Sequence, residues 1–517
     1  MSKLNTMSPR LLNSFILSGI VLSLIHAHLG AATTLTIAKP NVLVILVDDM
    51  GYGDPHCFNP ESKIETPHID QLASEGMRFT DAHAPGSTCV PSRYGLFTGR
   101  YPVRTWNIKK ADKIIRNGHE TMHFPLPMLK DEPQRLNLAT LMKRNGYATA
   151  CIGKWHQGMS SKADADGILP LSPINFGFDY YFGFDASEQP PYAFIENNRF
   201  VVSPTGMVEE SLDPTVTNSA TQGRHIRPGS AAPDWNFDAI LPTIANKTDA
   251  WLNKHISKHK DQPFFLYYAI PAPHAPWLPG QTYAGKSAAG LYGDYVMAVD
   301  AVIGQALATL KQLHLKEQTL VLFSSDNGPV WYDKDISKFN HRASGQWKGM
   351  KGSLTEAGHR MPFIARWPGQ VPATSTCDQM ICFTDLIATL ATMVGDTLPN
   401  DAGEDSFDIM PLLRGQTPSP PIRTRQIHVN YGSYTVALRD GKWKLILPAW
   451  QYAVADRTIS PDQVIAPNDK KSKFELYNLQ NDPSEMKNLA EENPTQVQAL
   501  FAILKAEIER GRSRTSP

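Results

Sequence analysis

The run NVLVILVDD, Asn41 to Asp49, is a near-continuous series of leucine and β-branched residues ending in two carboxylates. Strands covered by helices on both faces of a parallel sheet read this way, with no polar alternation. The fold class is therefore α/β. In open sheets of this kind ligands collect beyond the carboxyl ends of the strands, where Asp48 and Asp49 fall. An isolated acidic pair in that place more often starts a loop or caps a helix.

A second run weakens the plainer reading. TLVLFSSDNGP is apolar through Phe323 and then delivers Asp326 and Asn327. Two strand ends, one acid–acid and one acid–amide, offer four oxygen-bearing side chains. Such a set suits calcium or magnesium and lacks the histidine and cysteine content of a zinc site. NGYATACIGKWHQG is expected to hold a strand over 147–152, with Lys154 and His156 on one side of its extended end. PFFLYYAIPAPHAPW runs a strand into a proline-stiffened loop bearing His274, and WKGMKGSLTEAGHRMPFIARWPG sets Lys348 and Lys351 in a glycine-rich approach to another. Taken singly, each reads as a solvated loop residue, and a glycine-rich loop is a weak signal.

STCVPSRYGLFTGR adds a different chemistry. Pro91 suits a first helical position and Thr88 a cap, which puts Cys89 at a helix N-terminus where free N–H groups and the dipole favour an anion. Arg93, four residues on, shares its face. A buried structural thiol is the commoner fate of a free cysteine, and a nucleophile or its precursor in an anion pocket is the sharper reading. Charge bookkeeping favours the latter. Asp48, Asp49 and Asp326 bring three negative charges, a divalent cation offsets two, and Arg93, Lys154, Lys351 and the histidines leave the pocket positive, as a phosphate or sulfate ester requires.

The 517 residues carry 50 basic and 50 acidic side chains, a balance that excludes a nucleic-acid groove or polybasic membrane surface. Lys3 and Arg10 precede the apolar LLNSFILSGIVLSLI, and Gly30, Ala31 and Ala32 follow it, so residues 1–32 read as a secretory leader. The mature chain is then secreted or periplasmic, without stable membrane insertion. Five cysteines are too few for a disulfide scaffold of this length; no bridge is predicted, and Cys151 reads as a buried thiol. Beyond Asp385 come an amphipathic helix, a PSPPIRTR linker, a hairpin turning at Asp440-Gly441, and a last helix from near Pro494 that buries Val497, Phe501, Leu504 and Ile508.

CVPSRYGLFTGR resembles the first signature of the formylglycine-dependent sulfatases, and GYATACIGKWH their second. NVLVILVDDMGYGD, FFLYYAIPAPHAPW, FSSDNGP and KGSLTEAGHR are similar to that family's metal strand, histidine loop, second metal pair and lysine loop, in the family's order. The resemblance implies an alkaline-phosphatase-like fold: a large mixed, mostly parallel sheet sandwiched by helices over residues 40–415, with a smaller C-terminal α+β subdomain over 424–517. It implies that Cys89 is converted during export to formylglycine by a formylglycine-generating enzyme. One hydroxyl of the hydrated aldehyde attacks sulfur, and the other lets the sulfated enzyme release its product by elimination. By similarity Asp48, Asp49, Asp326 and Asn327 bind calcium next to residue 89. Arg93 and His156 hold the hydrate, Lys154 and Lys351 grip the sulfate, His274 protonates the leaving alcohol, and Asp326 takes a proton from the attacking hydroxyl.

Substrate choice falls to the polar loops: Ser187 near the sulfate, with Arg199, Arg224, His225 and Arg342 as contacts for an anionic sulfated saccharide or small molecule, and His341 and Trp347 close by in sequence. These arginines equally suit surface salt bridges. A phosphate or phosphonate monoester hydrolase on the same fold is the alternative enzyme, and a non-catalytic carbohydrate-binding relative the alternative class. A cysteine phosphatase is disfavoured by the four-residue step from Cys89 to Arg93.

Overall fold

All eight residues of the strand Asn41–Asp48 are buried. Val42, Val44 and Leu46 enter one core, with Phe97 and Trp155; Leu43, Ile45 and Val47 enter another, with Ile69, Tyr292 and Ile303. Two-residue alternation divides the strand between two apolar layers, which is why its sequence shows none. The computed structural model describes residues 39–105, 112–116, 119–123, 125–186, 189–210, 226–431, 435–448 and 473–515. Pro40–Pro517 forms one compact unit. The leader expected over 1–32 and the candidates Ser187, Arg224 and His225 lie outside the described residues.

A ten-stranded sheet runs in the order Ser375–Cys377, Met77–Phe79, Phe363–Arg366, Thr319–Ser325, Asn41–Asp48, Phe264–Pro273, Ala148–Lys154, Tyr180–Phe184, Ile195–Glu196, Arg199–Phe200. The five strands from Thr319–Ser325 to Tyr180–Phe184 are parallel, and antiparallel pairs flank them. Helices Cys89–Thr98, Leu138–Arg144 and Leu386–Val394 pack into the first core, and Pro67–Ser74, Ile240–His259 and Gly290–Gln312 into the second. The strand expected over 147–152 runs two residues further, through Lys154.

The chain then builds a four-stranded antiparallel sheet, Arg425–Asn430, Thr435–Asp440, Trp443–Ile446 and Glu475–Asn478, with the helix Pro494–Arg510 against it. The hairpin turns through Gly441 and Lys442 between the paired Asp440 and Trp443. In the last helix Val497, Leu500 and Leu504 are buried, while Phe501 and Ile508 are only partly covered, so the apolar face is centred one residue earlier than the spacing predicts. The PSPPIRTR segment is pinned: Arg423, fully buried, donates to Asp385 Oδ2 at 3.0 Å and to the Asp405 carbonyl at 2.7 Å. All five cysteines are free thiols. Among the described residues no helix is long and apolar enough to cross a membrane.

Gly153 shows how tightly the parallel strands close near their carboxyl ends. A Cβ there would stand 1.9 Å from the Ala269 carbonyl oxygen, and its φ is +114°. Gly153→Ala is expected to destabilise by about 3 kcal/mol or more, enough to remove most soluble protein. Gly146→Ala, with φ +88° and nothing within 4 Å of the new carbon, isolates the backbone cost and is expected to cost about 1 kcal/mol. Thermal unfolding of the two variants checks the difference.

Candidate active site

Four strand ends deliver the polar groups. Opposite Phe264–Pro273 the register slips between Val47 and Asp48, a bulge that re-aims the carboxylates, and Asp49 turns with φ +68°. Asp49 Oδ1 accepts from Asn327 Nδ2 at 2.7 Å, and the Asp49 N–H donates to Asp326 Oδ1 at 3.3 Å. The two acidic stretches, far apart in sequence, thus interlock. Lys154 ends its strand and donates to Asp48 Oδ2 at 2.5 Å. His156 follows in a left-handed conformation, φ +55°, so it enters the site through a turn and not through the extended alternation predicted.

The helix over Cys89–Thr98 is buried along its whole length. Thr88 is its N-cap by backbone but makes no side-chain cap bond, and the helix starts at Cys89, which puts Pro91 third and not first. Arg93 Nε donates to Asp326 Oδ2 at 2.9 Å, and its Nη1 reaches the Lys154 carbonyl at 3.2 Å and Tyr267 Oη at 3.0 Å. Cys89 Sγ, an Asp48 oxygen and an Asp326 oxygen lie within 4.8 Å of one another. Cys89 is the precursor residue in the sequence-based reading, so its Sγ marks where the nucleophilic oxygen would stand.

Three carboxylates face three fixed cations in this buried space. Burial pushes the Asp48 carboxyl up, and Lys154, His274, Arg93 and Lys351 together reverse it, holding it well below the usual carboxylate range. Asp326 is raised to about 7 by burial and by the Asp48 carboxylate, against the pull of Arg93 and Lys154. Burial also lifts the Cys89 thiol, more than Lys154 and Lys351 lower it, so the helix N-terminus does not yield a ready thiolate. His156 is driven well below its ordinary value by burial, then by Lys154 and Arg93, and is a neutral ring. Lys351 Nζ sits 2.8 Å from Asp49 Oδ2. His274 Nδ1 lies 2.7 Å from the Ala275 carbonyl, which fixes that nitrogen as a donor, and its Nε2 faces Asp49 at 3.6 Å.

The substrate candidates fare differently. Arg199 is exposed, donates to the Asp166 carbonyl at 2.7 Å, and lies five strands from Asn41–Asp48, roughly 24 Å at the spacing of hydrogen-bonded strands. It is not brought to the pocket. His341 is fully buried and bonded to Asp54 Oδ1 at 2.8 Å, a structural partner of the DDMGYGD loop and no substrate contact. Arg342 is exposed on the loop that packs against Gly53. Lys348 turns away, to the Glu485 carbonyl.

Sequence reasoning missed Tyr267 and Gln157. Tyr267 sits in an apolar strand, where a phenol needs a partner, and that need was the available signal. Gln157 Nε2 donates to the Val90 and His156 carbonyls, both at 2.9 Å, and joins the helix start to the strand end; nothing local marks it.

Asp48 Oδ1 and Asn327 Oδ1 are buried and have no hydrogen-bond partner among the described residues. Two orphaned oxygens beside the carboxylates of Asp49 and Asp326 fit a hard divalent cation, which takes oxygen ligands in flexible geometry.

Residues 40–395 match the sulfatase family model, and residues 350–514 match that of the N-sulphoglucosamine sulphohydrolase C-terminal region. An N-acetylgalactosamine-6-O-sulfatase of Bacteroides thetaiotaomicron is 33% identical over 504 residues, covering 90% of this chain and 93% of its own. Human arylsulfatase A is 32% identical over 502 residues, covering 93% and 90%. A solved sulfatase of glycosaminoglycan metabolism from B. thetaiotaomicron superposes with TM-score 0.73 at 31% identity, over 91% of this chain and 100% of that one. The chain belongs to the sulfatase family of the alkaline phosphatase superfamily and is a sulfuric ester hydrolase.

Proposed function

We propose that this chain is exported and hydrolyses sulfate esters of a sulfated carbohydrate, with formylglycine at position 89 as the nucleophile and a calcium ion held by Asp48, Asp49, Asp326 and Asn327. The observation that carries the reading is the meeting of Cys89 with Asp48 and Asp326 within 4.8 Å, under the guanidinium of Arg93. When bound, the ion supplies Lewis-acid polarisation of a sulfate oxygen and charge neutralisation among the carboxylates. Arg93 and His156 orient the nucleophile. Lys154 and Lys351 leave their carboxylate partners to take sulfate oxygens, and Asp326, whose carboxyl burial and the Asp48 carboxylate raise, accepts the proton of the attacking hydroxyl. His274 keeps its Nδ1 proton on the Ala275 carbonyl and, as the doubly protonated ring, gives its Nε2 proton to the departing alcohol.

Export rests on residues 1–32, read from sequence. For substrate, the B. thetaiotaomicron relative acts on 6-O-sulfated N-acetylgalactosamine, and that sugar is the first to test, alongside the exposed Arg342.

Mass spectrometry of the Cys89 peptide from a host able to mature sulfatases is expected to find the aldehyde; a fully unmodified thiol in active enzyme overturns the reading. Cys89→Ala is expected to lower kcat by at least roughly 10³-fold. Exhaustive chelation is expected to reduce turnover by about 10²-fold, restored by calcium. Turnover of an aryl sulfate is expected to exceed that of the matching aryl phosphate, and the reverse ratio would favour the phosphate-ester alternative.

A further inference from the structure

His83, His359 and His428 form a fully buried group outside the site just described. One nitrogen from each comes within 4.8 Å of the others, a metal-like spacing. The rings of His359 and His428, however, stack with centroids 3.7 Å and planes 15° apart. Imidazole lone pairs lie in the ring plane, so rings stacked in this way cannot both aim at one ion. Hydrogen bonds account for the group instead. Asp81 Oδ1 accepts a hydrogen bond from His83 Nε2 at 2.7 Å, which leaves His83 Nδ1 to accept from His359 Nδ1 at 3.0 Å, and Lys444 Nζ lies 3.0 Å from His359 Nε2.

His428 is not part of that chain. Its Nδ1 lies 2.9 Å from the Ala84 carbonyl, and since a carbonyl only accepts, Nδ1 carries the proton. Ala84 stands in the segment that leads into Cys89. The strand bearing His428, Arg425–Asn430, grips that segment again: Val429 N–H donates to the Pro85 carbonyl at 3.1 Å, and Ser87 N–H to the Val429 carbonyl at 3.0 Å. Asn430 Nδ2 donates to the carbonyl of Gly352, next to Lys351, and Gly352 N–H donates to the Ser87 carbonyl at 2.8 Å. One edge of the C-terminal sheet therefore touches both the approach to the nucleophile and the turn that carries a sulfate-binding lysine.

We infer that His428 and Asn430 are positioning residues for the sulfatase reaction, holding the backbone before residue 89 and the Lys351 turn in one register. The inference rests on the proposed roles of Cys89 and Lys351. Backbone pairing along the strand needs no particular side chain; the added contacts, His428 to Ala84 and Asn430 to Gly352, do.

Three variants test it. His428→Leu removes the donor, whereas His428→Asn keeps one, because Asn Nδ2 stands close to the position of the imidazole Nδ1. Both lose the ring stacked on His359, so a purely structural role affects them alike. Asn430→Asp keeps its size and loses the donor to Gly352, and it serves if the leucine variant does not fold. With formylglycine content at position 89 matched to the unaltered protein, His428→Leu and Asn430→Asp are expected to lower kcat on an aryl sulfate roughly 10-fold or more, with KM within about twofold. His428→Asn is expected to keep kcat within about threefold. Hydrogen–deuterium exchange, which needs no turnover, is expected to speed up in the peptides around Ser87 and Gly352 in the leucine and aspartate variants and to stay slow in the asparagine variant. Unchanged kcat and exchange in His428→Leu, or an equal loss in His428→Leu and His428→Asn, overturns the inference. Loss of sulfate turnover in the unaltered, fully converted enzyme would instead overturn the proposed function and leave the exchange result to decide the positioning role.

Discussion

The bond from Arg93 Nε to Asp326 Oδ2 joins residues 233 positions apart, both without solvent contact. Neither charge is tolerable in that place alone, since an unpaired ion in a protein interior costs several kcal/mol. The pairing fixes the rotation of the Cys89–Thr98 helix over the sheet, and with it the direction in which residue 89 points. The same guanidinium also engages the Lys154 carbonyl and Tyr267 Oη, so two strand ends and the middle of a third strand meet at one side chain.

Around that anchor the site gathers more like charge than it would choose. Asp48 and Asp326 share a buried space, and Asp326 holds its proton more tightly, first because of burial and then because of the Asp48 carboxylate beside it. Lys154 and Lys351 hold Asp48 and Asp49. A site of this kind is preorganised and electrostatically loaded, held together by burial and by the bonds among its own acids and bases.

Much of the sheet and the polar centre could be read from the chain because burial leaves a local trace. Asn41–Asp48, Phe264–Pro273 and Thr319–Ser325 lie between two helix layers, so their apolar runs, and the acids at the ends of the first and third, stand out in a few residues of text. What could not be read depends on partners distant in sequence. His341 looks like a polar loop residue until Asp54 is found beside it. Arg199 looks like a substrate contact until the sheet order puts it on the outermost strand. The shift from Phe501 to Leu500 in the last helix is set by which neighbours it meets, and the left-handed turn at His156 by a loop that no periodicity describes.

The burial of residue 89 has a consequence for the order of events in making the enzyme. Its helix exposes almost nothing, with Cys89 itself at 8% and its neighbours in the first turn covered by other parts of the chain. An enzyme large enough to act on a cysteine side chain has no path to it once the strands have closed. The conversion of Cys89 proposed above would therefore fall in the interval between synthesis and folding, with the speed of folding as its deadline. Under that proposal a chain that folds too soon would be well formed, stable and inert.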